Sequence, residues 1–212
     1  QLTFLLAMLA GPLLAVESPL VRAQTQNEAG LEEIVVTARK REESLQDTPV
    51  ALTAFTGDML EQQHISSLDK IADATPNLVF DTGTTFSGSN GAAAVYIRGI
   101  GQIDYSMTTE PGVGIYLDGV YVATSIGSVL DLVDIERVEV LRGPQGTLFG
   151  RNTIGGAISV TSKLPDDTLH GDLKVTAGGD DRIDVNGSVN VPLTDTLYAK
   201  FSAATFNRDG FV

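Results

Sequence analysis

Five glycines lie within the fourteen residues from position 143 to position 156. They follow a β-branched, partly charged stretch at residues 135–141 and precede a short apolar stretch at residues 157–161. Glycine tolerates the positive φ angles that tight bends need, and Pro144 restricts the residue before it, so the sequence predicts two close bends between two strands. Residues 135–163 should therefore form a compact β unit in which backbones approach closely, and not a linker.

Four motifs in this chain occur in the order found in one known family. Residues 33–38 read EIVVTA, residues 97–99 read IRG, residues 116–120 read YLDGV, and residues 141–163 read LRGPQGTLFGRNTIGGAISVTSK. Together they resemble the TonB-dependent outer-membrane receptors, with the last motif similar to the end of the plug domain. The resemblance covers roughly residues 32–163 and implies an α+β plug domain, a mixed β-sheet with short helices, over residues 48–163.

After residue 163 the sequence pattern changes to alternating apolar and polar positions. Residues 172–177, 183–191 and 197–206 each offer one apolar and one polar face. Such segments suit the wall of a transmembrane barrel, or equally one sheet of a soluble β-sandwich. The resemblance favours the barrel, so we expect residues 164–212 to be the first antiparallel strands of a truncated transmembrane β-barrel. Plugged barrels of this kind have about 22 strands, which predicts that the chain is a fragment or a truncated product.

The first 47 residues contain two segments of different character. Residues 2–16 form an apolar run that is shorter than the ~20 residues of a membrane-spanning helix, and the small residues Val21 and Ala23 follow it. This pattern is typical of a secretory signal peptide over residues 1–23, here N-terminally incomplete. The polar residues 24–47 should form a flexible periplasmic segment. Together with the resemblance, this predicts the outer membrane of a Gram-negative cell, with the plug and residues 33–38 accessible from the periplasm.

Residues 33–38 are the candidate contact with an energising partner. A short β-branched segment in a flexible tail can add as a strand to the edge of a partner's sheet, although the pattern alone favours an ordinary first strand of the domain. The resemblance implies that this segment is the TonB box, which TonB would bind together with its inner-membrane energising complex. The residues concerned are Glu33, Ile34, Val35, Val36, Thr37 and Ala38.

The resemblance implies two further groups of functional residues. Arg98 and Arg142 would act as latches that pair with acidic groups of the barrel, with Glu136 and Glu139 in the same charged set; an internal Glu–Arg network that holds the plug together is the alternative. Two glycine-rich loops, residues 81–94 and 101–112, would face the exterior and contact substrate. The candidate contacts are Phe86, Tyr105 and Met107, which could instead pack on neighbouring loop residues.

Local signals predict several individual elements. Residues 48–55 should be a strand, and a helix should follow with Asp58 as its N-cap and Glu61 completing a capping box. Ser67 should cap a second short helix. Asp118-Gly119 between β-branched residues predicts a tight hairpin, and residues 125–133 predict a short helix before the central strand.

Composition excludes several classes of function. The net charge is −13 with 14 Lys and Arg, and the basic run does not exceed Arg39-Lys40-Arg41, which argues against nucleic-acid binding. There is no cysteine, and His64 and His170 lie far apart without a nearby nucleophile. The sequence therefore suggests no catalytic group, no metal site and no cofactor.

The predicted function is import across the outer membrane. The bound substrate would be a ferric siderophore or another iron complex, and TonB would supply the energy. The partners would be TonB, outer-membrane lipid and the small iron-siderophore-type substrate. The alternative is a secreted or periplasmic ligand-binding module without transport activity.

Overall fold

The computed structural model describes residues 33–82, 93–102, 110–123, 129–179 and 181–207. Within them the chain forms an α+β domain up to residue 163, here called the N-terminal domain, followed by an antiparallel sheet. The strands are β1 (Val35–Val36), β2 (Glu43–Ser44), β3 (Leu52–Thr56), β4 (Leu78–Asp81), β5 (Ala94–Ile97), β6 (Ile100–Gln102), β7 (Val113–Leu117), β8 (Val120–Tyr121), β9 (Ile135–Arg142), β10 (Gly156–Ser162), β11 (His170–Ala177), β12 (Ile183–Thr194) and β13 (Leu197–Asn207).

Three α-helices occur among the described residues, and all are short. They are α1 (Gly57–Gln62), α2 (Ile71–Ala74), which continues a 3₁₀ turn at Leu68–Lys70, and α3 (Gly146–Phe149). No helix in the described part of the chain is long and apolar enough to cross a membrane. The predicted strand at residues 48–55 is observed later and shorter, as β3.

The glycine-rich unit forms the centre of a five-stranded sheet with the order β3-β9-β10-β7-β8. β10 runs antiparallel to β9 and parallel to β7. The two strands predicted on either side of the glycines are therefore confirmed. Between them, the sequence predicted only bends, whereas the structure contains α3.

The main core lies on one face of this sheet. Alternate residues of the two central strands point into it, namely Val138 and Val140 of β9 and Ile158 and Val160 of β10, and all four are fully buried. They pack against Leu60 and Ile71 from the helices and against strands β4 and β5 of a three-stranded sheet ordered β4-β5-β6. Full burial of each such side chain contributes about 1.5–3 kcal/mol, so this face accounts for much of the domain's stability.

The opposite face of the five-stranded sheet is smaller and partly polar. It contains Tyr116, Leu141 and Ala157, which form a second cluster with Ala38. Arg137 and Glu139 lie on this same face, because they alternate with Val138 and Val140 along β9. Charged residues in the middle of a sheet need partners when they are buried. Residues 33–41 pack over this part of the sheet and bury them.

The hairpin between β7 and β8 forms as the sequence predicts. Asp118 and Gly119 have φ angles of 50° and 79°, the positive values that a two-residue hairpin turn requires. The carboxylate of Asp118 also accepts hydrogen bonds from the backbone N–H and the hydroxyl of Ser162, at 2.8 and 3.0 Å. The turn is thus tied to the end of the neighbouring strand.

Two local predictions were wrong. The N-cap of α1 is Thr56, whose hydroxyl accepts a hydrogen bond from the N–H of Met59, because the helix begins directly at the end of β3. The predicted helix at residues 125–133 is absent from its described part, residues 129–133. There Leu130 accepts from Leu68 N–H and Leu132 donates to Ser66, so backbone groups that a helix would use internally are paired with another segment.

Strands β11, β12 and β13 form an open three-stranded antiparallel sheet, here called the C-terminal sheet. The predicted alternation is confirmed: one face is apolar and exposed, and the other is polar. The exposed apolar residues include Leu173, Val175, Val189, Leu197 and Phe201. The polar face carries Asp184, Asn186, Ser188, Asn190, Lys200 and Ser202.

Candidate functional site

The candidate box, residues 33–38, begins a segment that lies against the N-terminal domain. We call residues 33–45 the docked segment. Val35 pairs with Ser44 and Val36 with Glu43 in an antiparallel register, and the N–H of Leu45 donates to the carbonyl of Ile34 at 2.9 Å. Val35 is 45% exposed. Val36, by contrast, is almost fully buried, because alternate residues of a strand point to opposite sides.

Glu139 holds the docked segment against the centre of the sheet. Its Oε1 accepts a hydrogen bond from the backbone N–H of Thr37 at 2.6 Å and a second from the Thr37 hydroxyl at 3.3 Å. The same oxygen lies 3.2 Å from Nε of Arg137, and Arg137 also donates to the Thr37 hydroxyl at 3.3 Å. One carboxylate therefore joins residue 37 to a strand that follows about a hundred residues later.

The burial of Glu139 makes this contact energetically important. Glu139 is fully buried, and its second oxygen, Oε2, has no hydrogen-bond partner. Arg137 pairs in addition with Glu136. A buried charge is stable only when it is paired, and removal of one partner of such a pair typically costs about 3–5 kcal/mol. Displacement of Thr37 thus removes a charge-assisted hydrogen bond from a buried carboxylate whose second oxygen is already unpaired.

The middle of the docked segment contacts two aromatic rings through Lys40. Nζ of Lys40 lies 4.3 Å from the ring centre of Phe149 and 5.7 Å from that of Tyr116, distances at which a cation is attracted to the ring face. The hydroxyl of Tyr116 donates to the carbonyl of Phe149 at 2.6 Å. Burial, with a smaller effect of Tyr121, raises the pKa of Tyr116 above its ordinary value of 10.0. The ring therefore stays neutral at physiological pH.

This arrangement limits how a partner strand could bind to residues 33–38. One backbone edge of β1 is occupied by β2, and the N–H of Thr37 is held by Glu139. Val36 and Ala38 are each 1% exposed. A partner that adds a strand here must first displace one of these contacts. The sequence predicted that residues 24–47 would be flexible; in the structure the described part, residues 33–47, is packed on the domain.

Arg98 and Arg142, the predicted latches, lie near the glycine-rich unit. Among the carboxylates that the structure describes, none is within ion-pair distance of either guanidinium. Arg98 is exposed at a turn with a φ angle of 53°. Arg142 donates weakly to the carbonyls of Leu52 and Pro76, at 3.4 and 3.5 Å, and its Nε is buried without a partner. Glu136 and Glu139, by contrast, form an internal network with Arg137.

The predicted substrate contacts Phe86, Tyr105 and Met107 lie outside the described residues. His64 is exposed at the end of α1, and no group of three potential metal ligands occurs within the ranges that the structure describes. The structure adds two residues to the site that the sequence did not single out, Arg137 and Lys40. The alternation of β9 could have indicated Arg137, because it placed this residue beside Glu139; the role of Lys40 depends on rings that lie far away in sequence.

Comparison with known proteins identifies the family. The model of the TonB-dependent receptor plug domain matches residues 44–157, more than half of the chain. The chain belongs to the TonB-dependent receptors. The match begins at the end of β2, covers β3 to β9 and reaches the first residues of β10, and the C-terminal sheet follows it.

Several relatives of this chain are named as receptors. The pesticin receptor of Yersinia pestis is 26% identical over 84% of this chain and 25% of its own length. The ferric-pyoverdine M114 receptor PbuA of a Pseudomonas species is 31% identical over 73% of this chain and 18% of its own length. The crystal structure of the ferric yersiniabactin uptake receptor FyuA from Yersinia pestis superposes with a TM-score of 0.64 at 27% identity, covering 73% of this chain and 24% of that one.

The chain spans about a quarter of the length of the curated relatives that it matches. Those relatives are named as receptors or transporters and not as enzymes, except for two from Vibrio cholerae, which are named as iron-regulated outer membrane virulence proteins. The three-stranded C-terminal sheet corresponds to an unclosed part of a receptor barrel.

Proposed function

We propose that this chain forms the plug and first wall strands of an outer-membrane receptor that imports an iron complex of the ferric-siderophore class. The support for the substrate class comes from relatives that are named as receptors for ferric pyoverdine and for ferrioxamine B. The plug performs no bond chemistry in this function. It binds substrate on the exterior side and is rearranged from the periplasmic side.

The main support for the energising step is the conformation of residues 33–38 and the contacts that hold them. These residues contain the short strand β1, and this segment is held by one short strand pair and one buried carboxylate. Such a segment can be exchanged from an internal partner to an external one, because strand addition replaces the same backbone hydrogen bonds. TonB is the proposed external partner, and it would act on Glu33, Ile34, Val35, Val36, Thr37 and Ala38.

Arg98 and Arg142 remain proposed plug–barrel latches. The support is that both guanidinium groups lack a carboxylate partner among the described residues, although Arg142 is only partly exposed. An arginine with an unpartnered buried nitrogen favours an acidic group nearby. Glu136 and Glu139 fit the internal network better, because both already contact Arg137.

Proline substitution in the receptor that carries this plug tests the coupling. Val35→Pro removes a strand donor inside the box, and we expect energised uptake of a ferric siderophore to be lost while equilibrium binding of that siderophore is retained. Glu42→Pro is the matched control, since Glu42 is exposed, lies between β1 and β2, and is outside the box. Full uptake by Val35→Pro would contradict the assignment of the box, and loss of uptake in both variants would assign the effect to docking instead.

A further inference from the structure

The plug and the C-terminal sheet meet at a corner where both domains supply charged or polar groups. Asp134 immediately precedes β9, with a φ angle of 56°. Its Oδ1 lies 2.7 Å from Nζ of Lys200, and its Oδ2 accepts a hydrogen bond from the hydroxyl of Ser202 at 2.5 Å. Lys200 and Ser202 alternate along β13 and so project from the same face. Both carboxylate oxygens of one plug residue are therefore bound by one strand of the sheet.

Burial distinguishes this ion pair from an ordinary surface pair. The side chains of Lys200 and Asp134 are only 9% and 14% exposed. Solvent-exposed ion pairs contribute little because water screens them and long side chains lose freedom. A pair that is mostly covered, with its second oxygen also hydrogen-bonded, is screened less and is costly to break on one side only.

A second set of contacts holds the connecting chain at the adjacent position of the sheet. Asn190 is the cross-strand neighbour of Lys200 and is fully buried. Its amide nitrogen donates to the carbonyls of Asp166 and Thr168 at 3.0 and 2.6 Å, and its oxygen accepts from the N–H of Asp166 at 3.2 Å. The hydroxyl and N–H of Thr168 hydrogen-bond the Asp166 carboxylate, which lowers its pKa below the ordinary value.

The connecting chain is also tied back to Asp134. The N–H of Lys163, at the end of β10, donates to the carbonyl of Asp134 at 3.0 Å. The start of β9, the end of β10 and the connection into β11 are thus joined to two neighbouring strands of the sheet. Beside this corner a cleft of about 840 Å³ separates α1 from β11 and β12, lined among others by Asp58, Glu61 and Lys174.

We propose that Asp134, with Lys200 and Ser202, anchors the C-terminal corner of the plug to the third strand of the wall. The anchor makes this corner the fixed end of the plug, whereas the docked segment at the other end is held by contacts that can be exchanged. The charges are the reverse of those expected for the latches, since here the plug supplies the carboxylate and the wall supplies the ammonium group.

Amide hydrogen exchange at the N–H of Lys163 tests the anchor in the purified receptor in detergent micelles. Asp134→Asn keeps a residue type that tolerates positive φ, and Lys200→Met keeps the length of the side chain without its charge. We expect each variant to exchange this amide about tenfold faster than the parent, and the double variant to be no faster than the single ones, because residues in contact are not additive. Exchange in residues 34–45 should not change.

Lys174→Met is the matched control, because Lys174 lies on the polar side of the same sheet, borders the cleft and forms no ion pair with the described residues. An equal effect of this control, additive effects of the two anchor variants, or no effect of either would overturn the proposal. If Asp134→Asn fails to fold, Lys200→Met combined with Ser202→Ala tests the same contact without altering the plug. TonB is absent from the measurement, so its outcome is independent of the proposed coupling at residues 33–38.

Discussion

Gly156 shows at the scale of one residue why the glycine-rich unit tolerates no side chain at its closing bend. Its φ angle is 155°, and a Cβ built there would lie 2.2 Å from the carbonyl oxygen of Leu141 and 2.8 Å from a methyl carbon of Ile97. Both neighbours are buried, and one of the two colliding atoms is backbone, so neither can move away cheaply. The sequence predicted a bend here, but only the contacts show that Gly156 has no room for a side chain.

Alanine substitution separates the two kinds of glycine in this unit. Gly156→Ala should lower the free energy of unfolding by about 2 kcal/mol or more, because it combines an unfavourable backbone angle with a steric clash. Gly146→Ala is the control, since nothing lies within 4 Å of its ideal Cβ and it occupies the first turn of α3. Chemical denaturation of the two variants measures the difference. Equal stabilities would show that the bend relaxes around a methyl group.

At the scale of elements, the docked segment depends on a pairing that no local pattern contains. β1 has the β-branched composition of a strand, and the sequence left open whether it pairs within the domain or with a partner. In the structure it pairs with β2, which lies a few residues later, and it is held by Glu139 of β9. In the proposed coupling, the strength of this docking sets how readily residues 33–38 become available to TonB.

Two matched carboxylates on β9 allow the docking to be tested. Glu139→Gln should speed hydrogen exchange at the N–H of Thr37 by about tenfold, because a charge-assisted hydrogen bond becomes a neutral one. Glu136→Gln should have little effect, since Glu136 also pairs with Arg137 but its side chain is 43% exposed and it does not contact the docked segment. Exchange measured by NMR or mass spectrometry gives the comparison. A larger effect of Glu136→Gln would contradict the role assigned to Glu139.

At the scale of the whole molecule, the surfaces of the plug and of the C-terminal sheet are suited to different surroundings. The plug has a buried apolar core of its own, whereas the C-terminal sheet leaves Leu173, Val175 and Phe201 on one face between 62% and 76% exposed. A continuous exposed apolar face on a sheet indicates contact with another apolar phase. In a TonB-dependent receptor that phase is the lipid of the outer membrane.

Charge placed on either face of β13 tests this orientation. Phe201→Lys should reduce the stability of the membrane-inserted receptor by about 2–4 kcal/mol if the residue lies near the bilayer midplane. Ala204→Lys is the control on the same strand, because residue 204 points to the polar side. Urea unfolding of the receptor in lipid vesicles measures both. Equal losses would mean that the two faces do not differ in their surroundings.

Local periodicity and turn chemistry determined much of this protein from its sequence alone. The strands around the glycine-rich unit, the hairpin at Asp118-Gly119, the two faces of the last strands and the family all followed from residues that are close in sequence. Two other local signals were overruled: Thr56 displaced Asp58 as a helix cap, and residues 129–133 formed bridges instead of a helix. At residues 129–133 a neighbouring segment offered the backbone competing partners, whereas at Asp58 the helix had already begun at the end of β3.

Only the tertiary structure decided which distant groups meet. Thr37 and Glu139 are 102 residues apart, and Asp134 and Ser202 are 68 residues apart. Alternation along a strand states which side chains share a face, but it does not state what covers that face. Which segment covers a face depends on contacts between residues that are far apart in sequence. For this reason the docked segment and the anchored corner could be recognised only in the folded protein.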